Sequence, residues 1–364
     1  MEIIQINKEN FNIVIAKAVE ILKNGGIVIY PTETCYGIGV DATIQVGVDK
    51  ILEYKTKRKG KPMSIAVTDK QMASEYVEVS EMAENIYTNL LPGPITVVSK
   101  SLNKVANGVE SPEKTLGIRI PDNEVIIEIV KLLKKPVTST SANVSYKKTP
   151  YKVEDILENT TEKQKSLIDL IIDAGELSHN PPSTVVDTTQ NSYTVLRQGD
   201  IKFENEEVLI SDSPQATEQI GEKLMKKYKH YLGYKSVIFA MEGELGAGKT
   251  QMAKGIGRAL GVKETINSPT FIIESNYDIE KPEGSYIEKK KVELIHIDTW
   301  RLQTGNELLE MDLMKQIEEG NVFVIEWADK VIEILNKLKG DAILIWIKIK
   351  YLDIETNREV TISY

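Results

Sequence analysis

Gly243-Glu244-Leu245-Gly246-Ala247-Gly248-Lys249-Thr250 decides how the second half of the chain folds. It satisfies every fixed position of G-x-x-x-x-G-K-[ST], the loop that wraps backbone N–H groups around phosphates. In such a loop the lysine reaches the β- and γ-phosphates and the hydroxyl meets Mg²⁺. The flanks agree. Ser236 to Met241 reads as a short buried strand. Lys249 to Leu260 reads as a helix with Met252, Ala253, Ile256 and Leu260 on one face, stopped at Gly261. A strand, a glycine loop and a helix N-terminus together aim positive dipole and free amides at an anion. A glycine-rich turn matching by chance would lack those flanks.

Outward from the loop, two acidic strand ends answer its needs. Val292 to Ile297 is an apolar strand followed by Asp298, and Val322 to Ile325 one followed by Glu326. In parallel α/β sheets, ligands sit beyond the carboxyl ends of strands, so both acids are placed beside the loop. Upstream, Ser213-Pro214 reads as an N-cap with proline at the first helical position, opening a helix over Gln215–Tyr231. Gly199 to Asp212 is acidic and weakly periodic, which sets a domain boundary near Phe203–Ser211. Ala342–Tyr351 and Arg358–Ser363 are expected to pair as a hairpin through Glu355-Thr356-Asn357. Lys281 to Lys291 reads as a solvated polar loop, with nucleic-acid contact the weaker alternative.

The first half alternates strand-like and helix-like segments. Helices are expected at Phe11–Leu22, Val46–Glu53, Glu81–Leu90, Glu124–Leu133 and Val153–Leu157. Strands are expected at Ile27–Tyr30, Ser64–Val67, Ile95–Ser99, Val137–Thr140, Leu170–Asp173, Thr184–Asp187 and Tyr193–Leu196. Such a pattern gives a mixed α/β sheet.

Composition narrows the function. A chain of 364 residues suffices for two domains, and a 41% hydrophobic content can fill both cores. A net charge of −9 argues against a surface built wholly for nucleic acid, but leaves room for a local basic cleft. One cysteine excludes an internal disulfide framework, and three scattered histidines give no zinc pattern. No run approaches membrane-spanning length, and no cationic segment precedes an apolar signal core, so the expected location is cytoplasmic.

Three clusters in the first half carry chemistry. Pro31-Thr32-Glu33-Thr34-Cys35-Tyr36-Gly37 follows a buried strand. Lys55, Lys57, Arg58, Lys59 and Lys61 concentrate positive charge. Ser139-Thr140-Ser141-Ala142-Asn143 follows another buried strand. Cations suit a triphosphate, whereas hydroxyls and an amide suit a small polar ligand. Alone, the basic run reads as a solvated helix end rather than a phosphate site. Cys35 reads as a small buried filler rather than a nucleophile, since no histidine lies near it in sequence.

Both halves resemble known families. Leu245-Gly246-Ala247-Gly248-Lys249-Thr250, Ser268-Pro269-Thr270-Phe271, His296-Ile297-Asp298-Thr299-Trp300-Arg301 and Glu326-Trp327 resemble the TsaE (YjeE) family of small P-loop ATPases of tRNA threonylcarbamoyladenosine biosynthesis. The resemblance covers about residues 213 to 364. It implies that Glu244, Gly246, Ala247, Gly248, Lys249, Thr250, Gln251 and Trp327 hold ATP. It implies that Thr250, Asp298 and Glu326 serve Mg²⁺ and hydrolysis, and that Thr270 sits in a switch-like loop. Gln251 stands where the family usually has a second hydroxyl, and Trp300 where it usually has tyrosine. Core packing is the competing role for Trp300 and Trp327.

Residues 8 to 201 resemble the YrdC/TsaC family of threonylcarbamoyl-AMP synthases. The motifs are Pro31-Thr32-Glu33-Thr34 with Tyr36-Gly37, Lys55-Thr56-Lys57 with Lys61-Pro62, Leu91-Pro92-Gly93-Pro94-Ile95-Thr96, Gly117-Ile118-Arg119-Ile120-Pro121, Thr140-Ser141-Ala142-Asn143, Pro182-Ser183-Thr184-Val185-Val186-Asp187 and Leu196-Arg197-Gln198-Gly199. The resemblance implies a twisted mixed α/β sheet with a deep basic cavity. In it Thr32, Arg119, Ser141 and Ser183 would hold L-threonine. Lys55, Lys57, Lys61, Asn143, Thr149 and Arg197 would hold ATP, with Lys55, Lys57 and Arg58 serving catalysis. The family's K-x-R signature appears as Lys55-Thr56-Lys57, with Arg58 one place later; lysine keeps the charge and loses the bidentate fork.

The expected protein is a fusion of α/β domains: a synthase over 1–205 and a P-loop ATPase over 206–364. Its substrates would be L-threonine, bicarbonate and ATP. TsaD-type and TsaB-type partners would be supplied in trans, with tRNA reached through them. The alternatives are a nucleotide- or RNA-binding first domain without synthesis, and a second domain that docks under nucleotide control with little hydrolysis.

Overall fold

A computed structural model describes residues 1–55, 62–144, 147–190, 193–203, 206–280, 292–304, 306–338, 341–352 and 356–363. The chain divides into two compact units, Met1–Lys202 and Phe203–Tyr364. No helix among the described residues is long and apolar enough to cross a membrane.

The strands of the first unit are β1 (Glu2–Gln5), β2 (Val28–Tyr30), β3 (Gly37–Gly39), β4 (Ser64–Ala66), β5 (Ile95–Lys100), β6 (Thr115–Arg119), β7 (Val137–Ser141), β8 (Leu170–Asp173), β9 (Thr184–Asp187) and β10 (Thr194–Arg197). They form one mixed sheet in the order β1-β8-β2-β3-β7-β4-β6-β5-β9-β10. Helix Phe11–Lys23 turns Val14, Ile15, Ala18, Val19 and Leu22 inward. These meet Val125, Ile126, Ile129, Val130 and Leu133 of helix Glu124–Leu133, over Val28, Tyr30, Leu170 and Ile172. Each fully buried aliphatic contributes about 1.5–3 kcal/mol of transfer free energy, so this double layer fixes the sheet's position. Helix Glu124–Leu133 starts where the Asn123 side chain accepts from the Val125 N–H at 3.1 Å.

The register then places the motifs. Gly37 pairs with Ser141 and Tyr30 with Gly37, so the Pro31–Tyr36 loop opens beside the end of β7. Ala66 pairs with Arg119. β1, β3 and β6 were not expected from periodicity. β3 is only Gly-Ile-Gly, too short to show a period, and it forms because β2 and β7 flank it.

The second unit contains β11 (Glu206–Ser211), β12 (Ser236–Gly243), β13 (Glu274–Asp278), β14 (Glu293–Asp298), β15 (Val322–Glu326), β16 (Ala342–Tyr351) and β17 (Arg358–Ser363), in the order β11-β17-β16-β12-β15-β14-β13. β12 runs parallel to β15 and β16, and β14 parallel to β15. Ile238, Ala240, Ile295, Ile297, Phe323 and Ile325 form one core layer against Leu313, Ile317, Ile334 and Leu335. Within the segment read as acidic and weakly periodic, Glu206–Ser211 is a strand, antiparallel to β17. Its partner lies far along the chain, and no local pattern reveals such pairing. β16 and β17 pair as expected, with Glu355 of the turn outside the described residues. Lys281–Lys291 also lie outside them. The helix expected over Gln215–Tyr231 is α-helical over Pro214–Tyr228 and finishes as a 3₁₀ turn over Lys229–Tyr231.

Helix Lys249–Ala259 lies against helix Pro214–Tyr228 at backbone contact. A Cβ at Gly255 would stand 1.9 Å from the Glu218 carbonyl oxygen. Gly255→Ala is therefore expected to destabilise this unit by about 3 kcal/mol, seen as an earlier urea transition. An unchanged transition would mean the two helices part at little cost.

Candidate active sites

The polar motifs of the first unit fall into two clusters. Lys55 ends helix Gln45–Lys55, where a cation is favoured by the helix dipole. It is 2% exposed, and its ammonium donates to the carbonyl oxygens of Ser141 and of Asn143, the latter at 2.7 Å. The Ser141 hydroxyl donates to Asn143 Oδ1 at 2.6 Å, and Asn143 Nδ2 donates to the Lys147 carbonyl at 2.7 Å. The β7 end and the helix end thus form one polar cluster.

A second cluster joins β9, β10 and β5. Arg197 donates through Nε to the Ser183 carbonyl at 2.9 Å and through a terminal nitrogen to Ser183 Oγ at 2.7 Å. Thr96 Oγ1 lies 3.0 Å from Ser183 Oγ. In the Pro31–Tyr36 loop, Thr32 Oγ1 donates to the Cys35 carbonyl at 2.6 Å and accepts from the N–H groups of Thr34 and Cys35. Glu33 pairs with a terminal nitrogen of the buried Arg119.

Electrostatics ties the clusters together. Burial pushes the Cys35 thiol up, while Arg119, Lys55 and Arg197 all pull it back. Three cations from three separate elements therefore all favour the charged form of the one thiol in the β2–β3 loop. Cys35 itself is a buried neutral thiol, as the filler reading requires. Thr149 reaches the same region: its side chain bonds Tyr151, whose hydroxyl is raised by burial and then by Cys35. Lys57, Arg58 and Lys61 lie outside the described residues.

In the second unit, the strand register sets the site. Met241, at the foot of the glycine loop, pairs with Glu326, and Glu326 pairs with Asp298. Both acids thus stand beside the loop. Gly246 and Gly248 hold φ of 79° and 113°, which lets the loop turn its amides inward. Glu244, Leu245 and Gly246 are exposed at the loop crest, and Ala247 is buried under it. Lys249 Nζ donates to the carbonyls of Gly243 and Glu244 at 2.6 and 3.0 Å, and lies 3.7 Å from the centre of the Trp327 ring. Burial lowers the Lys249 ammonium's pKa, and Glu326 and Asp298 oppose that fall. Gln251 is half-buried in the first turn of the helix.

The Thr250 hydroxyl donates to Glu326 Oε1 at 2.9 Å. Asp298 is held differently. Its carboxylate takes Thr270 Oγ1 at 2.5 Å, Ser268 Oγ at 3.3 Å and the Trp300 N–H at 2.9 Å. Asp298 therefore anchors the Ser268–Thr270 loop, while Glu326 belongs to Thr250. That loop ends at Ile273 with φ 69°, a conformation a β-branched residue adopts under strain. Trp327, at φ 59°, is strained in the same sense. Trp300 is 50% exposed, so core packing is not its role. The two indole rings lie 4.5 Å apart, and Trp327 lies over the loop lysine.

Several residues were not singled out from sequence. His296 is fully buried and its Nε2 lies 3.0 Å from Glu326 Oε1. Tyr351 donates from β16 to the Leu245 carbonyl at 3.1 Å, bracing the glycine loop. Thr96 and Glu33 act in the first unit. Glu33, Thr96 and His296 sat inside motifs already quoted, but their partners lie on other strands.

The Sua5/YciO/YrdC family model, described as telomere recombination, matches residues 20–199. The model of threonylcarbamoyl adenosine biosynthesis protein TsaE matches residues 211–360. A putative threonylcarbamoyl-AMP synthase of Methanocaldococcus jannaschii is 32% identical over 204 residues, covering 56% of this chain and 94% of that protein. The threonylcarbamoyl-AMP synthase of Pyrococcus abyssi is 29% identical, with 60% of this chain and 65% of that protein covered. The crystal structure of P. abyssi Sua5 complexed with L-threonine superposes with a TM-score of 0.51 at 21% identity, over 94% of this chain and 98% of that one, a likeness of fold. By sequence match over nearly the whole length of its archaeal relative, the chain belongs to the Sua5/YciO/YrdC family through its first unit, and its second unit is a TsaE domain.

Proposed function

We propose that the protein is a bifunctional enzyme of tRNA N6-threonylcarbamoyladenosine biosynthesis. The first unit condenses L-threonine, bicarbonate and ATP into L-threonylcarbamoyladenylate, releasing pyrophosphate. The observation that carries this reading is a pair of cation-centred polar clusters, Lys55 with Ser141 and Asn143, and Arg197 with Ser183. Threonine's amine and bicarbonate form a carbamate, losing water. A carbamate oxygen then attacks the α-phosphorus, and the bond to the β-phosphate oxygen breaks. The nucleophile is already anionic, so the site needs positioning and positive charge for the leaving pyrophosphate rather than a strong base. Its inventory is rich in lysine and arginine and poor in histidine, which suits that demand. Lys57, Lys61 and Thr149 are assigned to ATP binding, and Lys57 and Arg58 to catalysis.

The second unit binds ATP through Lys249 and the amides of Gly246 to Thr250, and hydrolyses it. Mg²⁺ fits the donors present. A hydroxyl and a carboxylate 2.9 Å apart at the loop mouth are hard oxygen ligands. Among the described residues no three His, Cys, Asp or Glu side chains form a cage, which suits an ion that takes phosphate and water oxygens for the rest of its shell. Bound there, it would neutralise charge on the β- and γ-phosphates. Glu326 orients Thr250, and Asp298 fixes Thr270. This turnover supports a TsaD-type transferase acting with a TsaB-type protein, both in trans and in the cytoplasm, and tRNA is reached through them.

The test is pyrophosphate release from the full chain, omitting threonine, bicarbonate or ATP in turn. Release that needs all three supports the synthase; release indifferent to threonine overturns it. Adding TsaD, TsaB and tRNA should then yield the modified adenosine without a separate synthase or ATPase.

A further inference from the structure

The Glu33–Arg119 pair is left half-made in a buried setting. A terminal nitrogen of Arg119 donates to Glu33 Oε1, and both side chains are largely withdrawn from solvent, at 9% and 14% exposure. Arg119 Nε and Glu33 Oε2 are nevertheless both buried without a hydrogen-bond partner. Arginine and carboxylate ordinarily meet through two parallel bonds, so a one-point pair with a spare donor and a spare acceptor is unusual. Buried polar atoms are otherwise almost always satisfied.

The backbone around Glu33 is fixed. Its main-chain carbonyl accepts from Asn180 Nδ2 at 2.7 Å, and the Asn180 carbonyl accepts from the Tyr151 hydroxyl at 3.1 Å. On its other side, Thr34 and Cys35 N–H groups close onto Thr32 Oγ1. The loop backbone is therefore clamped at both edges, and the Glu33 carboxylate is held by its one bond to Arg119.

One spare donor beside one spare acceptor has the polarity of an amino-acid zwitterion reversed. We infer that Glu33 is a recognition residue for the amino group of the substrate amino acid, paired with Arg119 for its carboxylate. The substrate carboxylate accepts from Arg119 Nε, and its ammonium donates to Glu33 Oε2. The site thereby selects α-amino acids over hydroxy acids or plain carboxylates before any chemistry begins. This inference rests on the synthase reading, and assigns within it a residue that the sequence motifs left without a role.

The experiment is calorimetric binding to the full chain, comparing L-threonine with 3-hydroxybutyrate of matching configuration, which keeps the carboxylate and side-chain hydroxyl and lacks the amine. Wild type is expected to prefer threonine strongly. In Glu33→Gln the amide oxygen can keep the Arg119 contact, but the amide nitrogen presents hydrogens to the ammonium. Threonine affinity should fall at least about tenfold, with 3-hydroxybutyrate affinity held within about twofold. Glu33→Asp, which restores the charge on a shorter arm, should recover part of the preference. Unchanged threonine affinity in Glu33→Gln, or parallel loss of both ligands, overturns the inference while wild-type threonine binding still stands for the synthase. Wild type that binds no threonine overturns both.

Discussion

Lys55→Ala is expected to lower threonine- and bicarbonate-dependent pyrophosphate release by about 1,000-fold or more. Two losses combine. The first is a fixed positive charge in a site where pyrophosphate charge must be neutralised; removing one such preorganised donor costs on the order of 10²–10³ in rate. The second is positional. Lys55 holds the carbonyls of Ser141 and Asn143, whose side chains bond to each other. Without it those carbonyls lose their cation, at about 1–3 kcal/mol each if they stay dry. Lys55→Met separates the two, because it keeps the buried stem and removes only the charge. A folded Lys55→Met protein with near-normal pyrophosphate release would falsify the assignment of this pocket to the synthase reaction.

Glu326→Gln should have a smaller but still large effect on the other activity. Glu326 Oε1 receives both the Thr250 hydroxyl and a contact from His296 Nε2. Glutamine preserves the volume and one oxygen but removes the charge that suits a divalent ion. ATP hydrolysis should fall about 100-fold, equivalent to ~2.7 kcal/mol of barrier. Nucleotide affinity should change much less, because Lys249 and the loop amides remain. The measurement is steady-state phosphate release beside fluorescent-nucleotide binding, over a magnesium titration. Equal loss of binding and turnover would show that Glu326 shapes the loop instead of serving the ion. Pyrophosphate release should be unaffected, since that reaction is assigned to residues of the first unit.

The two sites were legible from sequence to different depths. The phosphate loop could be read almost completely, because its chemistry constrains consecutive residues. Glycine must stand where φ is positive, and lysine and threonine must open the helix. The placing of Glu326 and Asp298 followed from strand ends in a parallel sheet, which is also a local rule. What the rule could not separate was their roles. Only the tertiary structure shows Thr250 bonded to Glu326 while Asp298 grips Thr270. In the first unit, the quoted motifs each name a corner of the pocket, yet the contacts run between corners. Glu33 with Arg119, and Thr96 with Ser183, are pairs over 80 positions apart. No periodicity encodes such a pairing. The same reason hid β3 and β11, whose existence depends on neighbours rather than on their own residues.

The position of β11 has a consequence for synthesis on the ribosome. Its hydrogen-bonding partner β17 begins 147 positions later, from Ser211 to Arg358 (358 − 211). At about 5–20 residues per second, roughly 7–30 s separate the emergence of the two strands. During that interval Val208 and Ile210 leave the exit tunnel on a strand with no mate, the kind of open edge that recruits neighbouring nascent chains. Slowed translation over the last hundred codons should therefore aggregate this protein, while slowed translation of the first unit should not.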